Sequence, residues 1–226
     1  DLVRSRGLGD VYKRQEVLMA LAARFGGLRG LAALLVALAA TLMLLLYYYA
    51  YLRSRNAKAA VVASALVLPL AATLFALRPH LFGWIFLLTN LVCLERFRQG
   101  RRRALWILPL VFLTWVNTHG SFTMGLFVVG LYWVSGLKAF RWGGLVGEPW
   151  TPKQRRDLAV ASLLSVLALL VSPYGTRLAT YPLEMVFFQS GVTSSVTEWL
   201  PMELGAPYGK LFLGLLLLFL LAQVLF

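Results

Sequence analysis

The sequence predicts an all-α fold, a polytopic bundle of about seven transmembrane helices. Three observations predict it. The chain of 226 residues is 60% hydrophobic and only 14% charged, against ~25% charged in an ordinary soluble domain. Its apolar runs approach the ~17–25 residues that cross a bilayer core, and they lack the polar face of a soluble amphipathic helix. The basic residues gather in short loops between those runs. A mean hydropathy of +0.75 agrees with this reading.

Residues 1–15 stand apart. Ser5 to Gln15 reads SRGLGDVYKRQ and resembles the in-frame translation of a transposase-based sequencing adapter. We expect this segment to be non-native, which leaves 16–226 as a partial transmembrane domain. The net charge is +13 for the whole chain; without residues 1–15, 18 basic residues face 7 acidic ones, a net +11. With no initiating Met, and with an apolar run still open at Phe226, the chain reads as a fragment truncated at both ends.

Glu16 to Gly27 is too short to span and ends in Gly-Gly, so it reads as an interfacial helix end or an entry loop. Leu31 to Tyr51 is a spanning candidate that closes on Tyr47, Tyr48, Tyr49 and Tyr51, residues suited to a headgroup belt. Ala59 to Leu77 is the next; its Pro69 is tolerable because neighbouring helices can re-satisfy the freed carbonyl. Leu81 to Leu94 follows, extended by Glu95 to Phe97. Ala104 to Thr114 reaches membrane length only if Trp115 to Thr118 lie at membrane depth. Ser121 to Leu137, Leu158 to Val171 and Leu211 to Phe226 complete the set. Lys138 to Arg156, rich in Gly and Pro, reads as a turn-forming basic loop. Cys93 can form no intrachain disulfide, and a buried cysteine in an apolar run is usually packing.

Alternating sides place the loops Arg53–Lys58, Arg96–Arg103 and Lys138–Arg156 together. They carry 13 of the 18 Lys and Arg beyond residue 15. The positive-inside rule puts that side in the cytoplasm. Topology thus accounts for the positive charge, so nucleic acid is not expected as a partner; the lipid bilayer is. Four polar motifs, none used in that assignment, then fall on the opposite, extracytoplasmic face. They are Arg78-Pro79-His80, Asn117-Thr118-His119, Ser172-Pro173-Tyr174-Gly175-Thr176-Arg177 and Thr197-Glu198-Trp199.

Each motif has a structural reading and a chemical one. Arg78 can snorkel to headgroups. Asn117 and His119 can be interhelical hydrogen-bond glue. Tyr174 and Trp199 suit interface anchors, Glu198 an ordinary loop carboxylate, and Ser172 to Gly175 a plain turn. As chemistry, Arg78 and Arg177 can hold a phosphate through their forked donors. His119 can donate a hydrogen bond to a leaving phosphate or move a proton. Asn117 can orient a sugar hydroxyl, and Glu198 can accept a proton. No metal cluster is visible, because neither His80 nor His119 has a carboxylate at ligand spacing. The sequence leaves the cofactor unknown.

The order of LRPHLF, a basic loop, LTWVNTHGSFTMG, VSPYGTRL and TEWLP resembles a bacterial family of multi-spanning inner-membrane proteins. That family carries R-P-x-L-F, W-x-N-x-H-G, N-P-Y-G and E-W-x-P in this order, and is similar to the GT-C glycosyltransferases. The match covers most of Glu16 to Pro201, with Ser172 standing where Asn is expected. The resemblance implies a GT-C-like helical fold and transfer of a sugar from a polyprenyl-phosphate donor at the extracytoplasmic face. Taking it with the side-chain chemistry above, we expect catalytic roles for His119 and Glu198 and substrate contacts by Arg78, His80, Asn117, Tyr174, Arg177 and Trp199. The resemblance further implies that the principal catalytic carboxylate lies in a loop preceding Glu16, so the fragment alone is expected to be inactive. The alternatives are a transporter or flippase and a non-catalytic membrane protein. Transport needs a polar path through the spans rather than polar groups gathered at one face.

Overall fold

The computed structural model describes residues 14–72, 75, 76, 78, 80–142, 145–172, 175–180 and 203–225. Over these the chain is mostly helical. In order, the elements are α1 (Arg14–Ser54), α2 (Ala57–Ala72), α3 (His80–Arg98), a 3-10 turn (Arg102–Ile107), α4 (Leu108–Val116), α5 (Phe122–Ser135), β1 (Phe140–Trp142), β2 (Leu145–Gly147), α6 (Pro152–Leu169) and α7 (Pro207–Leu225). Residues 176–180 are also helical.

The expected seven spans are corrected by helix length. Among the described residues only two helices, Glu16–Ser54 and His80–Arg98, are long and apolar enough to cross a membrane. Three others are apolar but shorter: Ala57–Ala72, Phe122–Ser135 and Pro207–Ala222. At ~1.5 Å per residue, the 14 residues of α5 reach roughly 21 Å, short of a ~30 Å hydrocarbon core. The Ala104–Thr114 run is divided, because the tight 3-10 turn takes its first residues and leaves α4 only 9. α6 has 18 residues, but its first turns carry Lys153, Arg155, Arg156 and Asp157.

α1 bends at Gly27, whose φ of 54° and ψ of −139° are not helical. This is the left-handed half of backbone space, where glycine carries no Cβ penalty. The bend separates Glu16–Gly27 from the Leu31–Tyr51 run, the division expected from the sequence. The purely helical expectation misses one feature: the Lys138–Arg156 segment contains an antiparallel hairpin pairing Phe140 with Gly147 and Trp142 with Leu145. Thr151 then caps α6 through a reciprocal capping box with Gln154, which satisfies two orphan amides of the first turn.

α3 is central. It packs against α1, α4, α5 and the 3-10 turn, while α4 packs on α6 and α2 on α7. The core contains Phe97, Leu105, Leu108, Phe112, Trp115, Phe122 and Leu158, all fully buried.

Side-chain contacts fix which helix ends lie together. Arg53 of α1 reaches Glu95 of α3 at 3.3 Å, and Arg55 reaches Gln99 at 2.5 Å. Arg102 pairs with Asp157 of α6. Trp150 packs at a tilt on Phe97, with ring centroids 5.2 Å apart, and its indole N–H donates to the Tyr132 carbonyl. The three basic loops therefore meet at one end. At the other end, Asn117 donates to the Val171 carbonyl at 3.0 Å, and the first turn of α3 abuts the loop between α4 and α5.

Candidate functional site

The loop from Asn117 to Ser121 joins α4 to α5 and closes on itself. The amides of Thr118 and His119 both donate to the Trp115 carbonyl, at 2.9 and 2.8 Å. The Trp115 ring is fully buried, lying 5.7 Å from Phe86 and 5.8 Å from Phe112. Its indole N–H donates to Ser121 Oγ at 3.1 Å. A buried indole with its donor satisfied is an anchor, so this ring fixes where Ser121 stands.

His119 Nδ1 accepts the Ser121 amide at 3.1 Å and lies 2.8 Å from Ser121 Oγ. A nitrogen that accepts a backbone N–H carries no proton of its own. The imidazole is then the Nε2–H tautomer, and Ser121 Oγ donates to Nδ1 while accepting from Trp115. Burial, and secondarily the charge of nearby His80, hold the imidazole below the ordinary histidine range. The ring is therefore neutral at pH 7 and presents Nε2–H as a donor.

α3 can approach this loop because it has glycine at 83. A Cβ there would sit 2.5 Å from Ser121 Oγ and 3.3 Å from His119 Nδ1. Gly125 does the same for the Trp115 ring, where a Cβ would meet Cζ3 at 2.5 Å. The Gly125 carbonyl also accepts from fully buried Asn90 at 3.0 Å. Two missing side chains thus let three helices converge on the Trp115-to-Ser121 stretch.

Asn117 is 4% exposed, and its amide donates to both the Leu113 and Val171 carbonyls, at 2.8 and 3.0 Å. That geometry is interhelical glue. It ties the His119 loop to the turn after α6, where the Gly175 amide donates to the Ser172 carbonyl at 3.1 Å. Gly175 has φ 53°, which only glycine adopts readily. The sugar-orienting role expected for Asn117 would have to use Oδ1, because the amide hydrogens are engaged.

Of the expected site residues, His119, Asn117 and His80 come together at one end, along with the Ser172 turn. Arg78 and Arg177 present exposed side chains. Tyr174, Glu198 and Trp199 lie outside the described residues. Among the described residues no group of three His, Cys, Asp or Glu is placed to hold a metal.

The sequence reading missed Glu95. In the sequence it extends an apolar run, yet its side chain is 1% exposed and organises the opposite end. Oε2 accepts from Arg53 at 3.3 Å, Arg98 at 3.0 Å and Tyr132 at 3.3 Å. Oε1 accepts from Arg98 at 2.8 Å and Gln99 at 2.9 Å. The signal was local: Glu95 and Arg98 are three apart on one helix, a spacing that pairs opposite charges. Gly83 and Ser121 were also without an assigned role, and nothing in their local sequence signals one.

No protein-family profile, no curated protein and no solved structure matches this chain.

Proposed function

We propose that this chain belongs to a membrane glycosyltransferase that moves a sugar from a polyprenyl-phosphate donor to an acceptor at the extracytoplasmic face. The observation that carries this reading is the placement of neutral His119, held by Ser121 and Trp115 against α3, at the end opposite the arginine-rich loops. Outward-facing apolar residues support the membrane setting: Val36 and Leu44 on α1, Phe127 and Val134 on α5, Leu163 on α6, and Leu217 and Phe219 on α7 are each more than half exposed. Apolar surface on this scale calls for lipid or a partner.

In this reading His119 Nε2–H donates to the leaving phosphate as charge develops on it, the stage at which a preset donor lowers a barrier most. Arg78 and Arg177 neutralise the phosphate, and His80 and Asn117 contact donor or sugar. Glu198 accepts the acceptor's proton, and Tyr174 and Trp199 line the substrate.

The test is sugar transfer in membranes from cells expressing the complete open reading frame, supplied with labelled polyprenyl-phosphate sugar. His119→Asn and Arg78→Gln should each lower transfer at least tenfold, about 1.4 kcal/mol of transition-state stabilisation. Undiminished transfer in both of these and in Glu198→Gln would sink the assignment. Orientation is tested in a Cys93→Ala background. Thr176→Cys should react with an impermeant maleimide in intact cells, and Arg103→Cys only after permeabilisation. The reverse pattern would put the His119 end in the cytoplasm.

A further inference from the structure

A second feature lies at the opposite end of the bundle, away from the His119 loop. A cavity of 670 Å³ opens between the C-terminal half of α3 and the 3-10 turn. Four arginines line it: Arg96, Arg101, Arg102 and Arg103. The remaining wall is largely apolar and includes Val92 and Ile107. Among the described residues no carboxylate lines it. Glu95 is consumed by Arg53, Arg98, Gln99 and Tyr132, and Asp157 pairs with Arg102 from outside the lining.

Two of these arginines are held in place with a donor unused. Arg96 lies 5.3 Å above the Tyr48 ring, and Arg102 is tied to Asp157. Yet the Nε atoms of both are buried and have no hydrogen-bond partner among the described residues. A buried N–H without an acceptor costs about 1–3 kcal/mol, and both of these belong to arginines that line the cavity. Arg101 and Arg103 are exposed at the same turn. Guanidinium forks of this kind bind phosphate oxygens through parallel hydrogen bonds. Ile107 both lines the cavity and is 48% exposed, which gives an apolar exit beside the charge.

We propose that this cavity binds the phosphate headgroup of an anionic phospholipid, with Arg96, Arg101, Arg102 and Arg103 as its donors and Ile107 against the first carbons of the tail. The volume falls within the ~300–1,000 Å³ of small-ligand pockets, more than a bare phosphate fills. Basic pockets at the cytoplasmic end of helical membrane proteins recognise such headgroups by this chemistry. The proposal shares the membrane setting of the reading above but not sugar transfer, so loss of either leaves the other standing.

The experiment is native mass spectrometry of the full chain in a neutral detergent, titrated with phosphatidylglycerol or with phosphatidylcholine of the same acyl chains. Phosphatidylglycerol should be retained and phosphatidylcholine should not. Arg101→Gln/Arg103→Gln should weaken phosphatidylglycerol binding about 30-fold, at ~1 kcal/mol per basic group and tenfold per ~1.4 kcal/mol. Lys138→Gln/Arg141→Gln removes the same charge from the exposed hairpin region outside the cavity and should change binding less than about twofold. Equal loss in the two double variants would reduce the effect to diffuse attraction and overturn the site. Ile107→Glu, which sets a carboxylate at the cavity mouth, should also weaken binding. Unchanged affinity in both Ile107→Glu and the Arg101/Arg103 variant overturns it too. Displacement of the lipid by glycerol phosphate at equal concentration would show a site for soluble phosphate and reject the lipid.

Discussion

His119 Nδ1 lies 2.8 Å from the Ser121 hydroxyl and 3.1 Å from the Ser121 amide nitrogen. This pair sets the tautomer of the ring and therefore which nitrogen is a donor. α3 passes directly against this pair, and that closeness depends on Gly83, a residue with no side chain.

Gly83→Ala tests that dependence. Alanine is better than glycine in an open helix by about 1 kcal/mol. At Gly83 the added Cβ would sit 2.5 Å from Ser121 Oγ, and overpacking costs about 1–3 kcal/mol. We expect a net loss of up to about 2 kcal/mol in thermal unfolding in detergent. Gly130→Ala in α5, where a Cβ meets nothing within 4 Å, should leave stability unchanged or raise it. Equal outcomes for the two would mean that α3 does not seal the loop.

The pH dependence of stability should carry His119's signature. Its folded pKa lies below the unfolded value, so the folded chain binds fewer protons in the window below ~6.5. Above that pH the folded and unfolded forms both hold a neutral ring, and its stabilisation is complete. As pH falls, the unfolded chain takes up the proton first, and stability is lost as pH falls through the folded value. His119→Asn keeps an acceptor near the Ser121 amide but does not titrate. Its unfolding midpoint should fall less steeply between pH 7 and pH 5 than that of the parent. Parallel slopes would show that the ring is not held neutral.

Asn117→Asp is nearly isosteric but replaces an amide that donates to two backbone carbonyls with a carboxylate that repels both. We expect a loss of about 2–3 kcal/mol, the cost of leaving buried polar groups unsatisfied. Hydrogen exchange should rise at residues 170–172 and at Gly175, because the Val171 tether is gone. Unaltered exchange there would place the turn under other control.

Glu95→Gln should destabilise by about 2–3 kcal/mol in denaturant or thermal unfolding. Removing one member of a buried pair typically costs ~3–5 kcal/mol; the lower figure applies because Arg53 and Arg98 are half-exposed and can rehydrate. Tyr132→Phe removes one hydrogen bond and should cost about 1 kcal/mol. A Glu95→Gln variant as stable as the parent would show that the Arg53–Glu95–Arg98 cluster is incidental.

Residue order alone carries the helical character, the break at Gly27, the three basic loops and the stretch from Trp115 to Ser121 as a polar interruption. Those are local properties, because hydropathy, charge and glycine spacing are read from neighbours in the chain. Helix lengths were less legible. Whether Ala104 to Thr114 runs straight or winds into a 3-10 turn depends on how Leu105 and Leu108 pack beneath α3 and α6, not on their apolarity. The tertiary structure decided the rest. Asn117 reaches a carbonyl 54 residues away, Arg53 meets Glu95 across 42 residues, and Gly83 makes room for Ser121. A hydrogen bond or a close approach between distant segments has no periodicity to betray it. Only folding decides which glycine is a contact and which carboxylate is a hub.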